Sequence, residues 1–199
     1  MDGTQYFSSK EVDCKKCLVR GSTKHPYHCH QVVQGAIVKA GLRQVIPVMP
    51  EEICTQDGEQ KVDCETNAFK RFLEKFRKDH DKLEIIINAD ALYATTPVIK
   101  TIQSHNANYI FKIEAANHKT LINNVNSVEK SRVETTSLRN NKLIIEWVND
   151  VELFSSTKER TNYIEAWELV PQKDGTIKSQ YYGKWITDLK ITTDDAKTI

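Results

Sequence analysis

Residues 83–94 read LEIIINADALYA. The β-branched run suits a strand buried on both faces, the kind found inside an α/β sheet, and it ends at a carboxylate, Asp90. Working outward, Pro97 stands where a helix begins and 98–104 continue it. Residues 107–115, ANYIFKIEA, read as another strand. Upstream, Phe69, Phe72, Leu73 and Phe76 recur at helical spacing, with Thr66 placed to cap that helix. Lys70, Arg71, Lys75, Arg77 and Lys78 crowd its other side, which reads first as a solvated face and second as a surface for the DNA backbone. Residues 31–49, QVVQGAIVKAGLRQVIPVM, hold two apolar runs broken at Ala40-Gly41, a hairpin pattern. Residues 51–61 are polar, turn at Asp57-Gly58 and read as a loop. Hairpin, helix, strand, helix, strand predicts a mixed sheet with helices on its faces.

Beyond His118 the texture changes. Residues 118–125 suggest a short helix, and 134–189 then alternate as strands joined by turns at Asn140-Asn141 and Asp174-Gly175. This β-rich block holds Trp147, Trp167 and Trp185, which read as packing residues first, with Trp147 and Trp167 as platforms for an unpaired base second. Lys+Arg 28 against Asp+Glu 27 leaves no net charge to demand a polyanion, so any nucleic-acid contact depends on local clusters. No apolar run approaches the ~20 residues of a membrane span. Five cysteines without a leader-like start predict a cytoplasmic protein with reduced thiols.

Two groups of residues carry chemistry. Asp2, in DGT, and Asp90 each lie beside an expected strand, and carboxylates at strand tips hold hard divalent cations, although an aspartate there is more often a cap or turn residue. Cys14 and Cys17 form C-x-x-C, spaced to clamp one zinc ion, which needs two further ligands. His25, His28, Cys29 and His30 follow in HPYHCH, and Cys64 lies in VDCE. His28 with Cys29 would close the site locally, and a Cys14–Cys17 disulfide is the redox competitor. Lys112, Lys119 and His118 are basic positions able to meet phosphates, or simply solvated. Tyr93 reads as packing, with substrate contact as the alternative.

Taken in order, DGTQYFSSKEVDCKKC, YHCHQVVQGAIV, RQVIPVMPEEI, QDGEQKVDCETNAFKRFLEKFRKDH, INADALYATTPVI and HKTL resemble the catalytic domain of DDE transposases of bacterial insertion sequences, in a group with a D-G-T opening and a CxxC. The resemblance spans nearly the whole chain. It implies an α/β, ribonuclease-H-like mixed sheet flanked by helices, with a β-rich insertion in the C-terminal third. The expected parts are a catalytic core over 1–128, the insertion over 129–188 and the start of a helix over 189–199.

By the same resemblance, Asp2 and Asp90 are catalytic and hold Mg2+ or Mn2+ for DNA cleavage and strand transfer. Cys14, Cys17, His30 and Cys64 would hold a structural Zn2+, leaving Cys54 spare, while Lys112 and Lys119 would face DNA. Partners would be element ends and target DNA, with a homodimer as the assembly and no membrane. The family's third acid, a glutamate on a helix after the insertion, has no match here. Glu165 and Glu168, in YIEAWEL, are the stand-ins to weigh. ITTDDAKTI opens a helix and stops, so the reading is a chain truncated at both ends and inactive alone. The rival readings are a zinc-stabilised, non-catalytic DNA-binding remnant and a stand-alone nuclease of the same fold.

Overall fold

The computed structural model describes residues 1–54 and 64–198, without the side chain of Thr198. The expected Asp57-Gly58 turn lies outside the described residues. The chain divides into two units, Met1–Glu84 and Ile85–Ile199.

The first unit is built on a four-stranded antiparallel sheet. β1 (Asp2–Ser9) runs along one edge of β3 (His25–Gln34), pairing from Asp2↔Gln34 to Ser9↔His28. β2 (Leu18–Ser22) pairs with 25–29 of β3, and β6 (Glu51–Ile53) pairs with 31–33. Since β1 already occupies one edge of 31–33, β6 must share the other edge with β2, end to end. β4 (Ala36–Ile37) and β5 (Ile46–Pro47) form the short ribbon expected of residues 31–49, with Gly41 at φ +79° in its connection. Glu51–Ile53, expected as loop, is therefore strand.

Helix α1 (Glu65–Asp79) buries Phe69, Phe72, Leu73 and Phe76, as the periodicity predicts. Its cap is Cys64 rather than Thr66, because the chain leaves extended geometry one residue before Glu65. Ala68 packs with Leu18, Cys29, Val33 and Ile53, so α1 covers the face of the sheet that these side chains share. Of the cations on α1, Arg71 and Lys75 are taken up by Glu51, at 2.9 and 2.6 Å.

The second unit is a six-stranded mixed sheet in the order β7-β8-β12-β11-β10-β9. β7 (Ile86–Ala89) and β8 (Asn108–Ile113) are parallel and joined through α2 (Thr96–Ser104), which carries Pro97 at its start. β9 (Ser131–Thr136), β10 (Lys142–Glu152), β11 (Arg160–Pro171) and β12 (Ile177–Thr187) are antiparallel, and β12 pairs with β8. α3 (Lys119–Asn126) follows β8, and α4 (Thr193–Thr198) closes the described chain. The chain is thus α/β with a mixed sheet.

One expectation changes here. β7 is an edge strand whose burial alternates, with Ile87 and Ala89 inside and Ile86 and Asn88 exposed, so it is not buried on both faces. The β-rich block continues the same sheet through β12 and β8. Trp147 is buried in a cluster with Ile145, Ile164, Ile191 and Ala196, and Trp185 packs against it. The helix start expected near the end is present: Thr192 Oγ1 accepts from Asp195 N–H (3.2 Å), and Asp195 Oδ2 accepts from Thr192 N–H (2.9 Å). That is a reciprocal cap.

Candidate metal centre

The CxxC segment is a tight turn. Cys17 N–H donates to the Cys14 carbonyl at 3.0 Å, and Cys14 N–H donates back to Cys17 Sγ at 3.3 Å. The turn brings the two sulfurs to 3.7 Å from each other. His30, on β3, reaches them from the sheet, its Nε2 lying 3.3 Å from Cys14 Sγ and 3.4 Å from Cys17 Sγ. A bulge in β1 between Gln5 and Phe7 fixes that ring: Tyr6 stacks on it with centroids 5.7 Å apart, and Phe7 packs beside it, also at 5.7 Å.

These three atoms fit zinc. A tetrahedron with Zn–S near 2.3 Å and Zn–N near 2.0–2.1 Å has S···S edges of about 3.8 Å and S···N edges of about 3.5 Å. The observed edges lie close to both values, and Cys14, Cys17 and His30 are the one group of three or more ligand-type side chains that converges among the described residues. Cys14 and Cys17 are both free thiols in the structure. Burial first, then the adjoining Cys14 sulfur, pushes the Cys17 thiol above its usual range. Bound metal would hold it as thiolate, with His30 carrying its proton on Nδ1.

The other expected ligands lie elsewhere. Cys29 is fully buried on the face covered by α1, with Leu18 and Val33, and so cannot close the site locally with His28. Cys64 caps α1, its Sγ 3.2 Å from Thr66 Oγ1, and is not part of the converging group. Sequence reasoning missed Tyr6 as a wall of the site and Lys16 reaching Glu52 at 3.4 Å from the CxxC turn. Both depend on strand register, and the one trace of the first is the aromatic pair Tyr6-Phe7 itself.

Asp2 is exposed at the start of β1, and Asp90 is exposed directly after β7. Asp90 Oδ1 accepts from Leu92 N–H at 2.9 Å, capping a 3-10 turn over Ala91–Tyr93. Among the described residues, no converging group of three or more ligand-type side chains includes either aspartate. Lys112 and Lys119 are both exposed, on β8 and at the start of α3. His118 is 4% exposed and packs against Phe154, which withdraws it from phosphate contact. Tyr93 is fully buried, as packing predicts.

Glu165 and Glu168 have structural partners. Glu165 is ion-paired with Lys130 and with Lys184 (2.9 Å), and Glu168 accepts from Ser137, from Tyr182 OH (2.5 Å) and from Asn141 (3.1 Å). Lys130 and Lys184 hold the Glu165 carboxyl below its ordinary range despite the burial that opposes this. No helix among the described residues is long and apolar enough to cross a membrane. Compared with models of known protein families and with curated proteins, the chain matches none.

Proposed function

We propose that this chain carries part of the catalytic core of a DDE-type transposase, of ribonuclease-H-like fold, acting on DNA phosphodiesters. Asp2 and Asp90 are its acids, and a zinc ion on the CxxC turn is structural. The observation that carries the reading is that three of the four zinc ligands implied by the resemblance, 13 to 16 residues apart at the extremes, meet within 3.7 Å. It is supported by the position of the two acids, one opening β1 and the other following β7. The zinc ties the turn after β1 to β3 and so steadies the strand that begins with Asp2. When bound, a divalent cation supplies water activation and stabilises the leaving oxygen.

The test is Mn2+ uptake by the zinc-loaded chain, followed by electron paramagnetic resonance. Uptake that is lost in both Asp2→Asn and Asp90→Asn supports the assignment. No uptake, or uptake indifferent to both substitutions, sinks it. A second reading, a zinc-stabilised DNA-binding module without cleavage, is favoured by the contrast, among the described residues, between a converging Cys/His group and no converging acidic one. DNA binding by a chain that takes up no Mn2+ selects it.

A further inference from the structure

Three ligands leave a structural zinc site one short, and the strand register shows which further cysteine is directed toward it. β6 runs along β3 with Glu51↔Val33, Glu52↔Val32 and Ile53↔Gln31; one further step brings Cys54 opposite His30. β2 leaves the same edge with Leu18↔Cys29, so one step back brings Cys17 opposite His30 as well. Both strands therefore stop one residue short of the same position, and the two cysteines approach it from opposite directions.

Pleat parity settles the face. Directly opposed residues of an antiparallel pair project to the same side, so Cys54, two residues after Glu52, shares the face of Glu52 and His30. Ile53 goes to the other face, where it is 4% exposed in the α1-covered core. The CxxC turn lies over the Glu52 face, since Lys16 pairs with Glu52 at 3.4 Å. Cys64 starts from the opposite side: the Glu65 carboxylate fills the space beside Gly3, which is paired with Val33 on the face that α1 covers.

We infer that Cys54, not Cys64, is the fourth ligand, giving a site of three thiolates and one imidazole from Cys14, Cys17, His30 and Cys54. In the structure Cys54 Sγ stands outside the three-atom group. Ligation extends the β6 register by one residue, forms one metal–sulfur bond and passes the Cys54 thiol proton to solvent. The inference rests on the zinc reading above and goes beyond it.

The probe is Co2+ titrated anaerobically into the reduced full chain, read by sulfur-to-cobalt charge-transfer absorption, which scales with the number of thiolates. The expected result is that Cys54→Ser loses about a third of the absorption and binds at least about tenfold more weakly, as Cys14→Ser does. Cys64→Ser should change neither, and Cys54→His should restore affinity at the reduced absorption. Loss in Cys64→Ser with Cys54→Ser unchanged overturns the inference while leaving the zinc site standing, as does a two-thiolate spectrum indifferent to both. A wild-type chain with no thiolate signal removes the zinc reading itself, and the inference with it.

Discussion

His118 lies at the start of α3 with its Nδ1 unpartnered among the described residues, its ring against Phe154 at 5.6 Å. Burial lowers its pKa from the ordinary value, because a buried imidazolium would lose its hydration. The unfolded chain takes up the proton near pH 6.5 and the folded chain only at lower pH, so this group leaves stability unchanged above that point and lowers it as pH drops from about 6.5 toward the folded value. Urea unfolding between pH 7.5 and 5 should show this decline, and His118→Leu should flatten it. Histidine at 118 read as a candidate phosphate contact, whereas its partners are set by where β10 and its following turn pass. Cys14 and Cys17 were legible because their chemistry is carried by residue type and spacing, whereas His30 was singled out within HPYHCH only by the resemblance. The fourth ligand was not legible, since nothing local separates Cys54 from Cys64.

Among the elements, β12 depends on a glycine for its course. Pairing shifts by one residue between Ala166↔Gly183 and Trp167↔Tyr181, leaving Tyr182 extra, and Gly183 takes φ +154°. A Cβ at 183 would meet the Trp185 ring at 3.2 Å and Lys112 Cε at 3.3 Å. Gly183→Ala should therefore destabilise the second unit by about 1–3 kcal/mol, read as a lowered midpoint of tryptophan fluorescence, since all three tryptophans lie there. An unchanged midpoint would show that the bulge relaxes without cost. The apolar spacing of α1 and the strand alternation of 134–189 were plain in the sequence, because one face of each element must be buried. The edge position of β7 was not. Its isoleucine run resembles that of a central strand, and only its hydrogen-bond partners distinguish the two.

At the scale of the whole molecule, the candidate zinc belongs to Met1–Glu84 alone. The CxxC turn and His30 link β2 and β3, and Tyr6 brings in β1. Chelation of metal from the purified chain should accelerate amide hydrogen exchange across 2–34 and leave 142–187 unchanged, measured peptide by peptide. Exchange that is indifferent to the chelator would deny the metal a structural role. The α/β class, the helices with their apolar faces, the β-rich final third and the Cys14-Cys17 pair are written in the chain itself, because all of them follow from neighbours a few positions apart. Tertiary structure decided that β2 and β6 share one edge of β3, that His30 faces the gap between them, that Glu165 is neutralised by lysines and that β12 joins β8. Those outcomes depend on which distant strands exchange hydrogen bonds, and backbone amides and carbonyls are alike at every position, so the choice rests with the packing of the whole rather than with any local pattern.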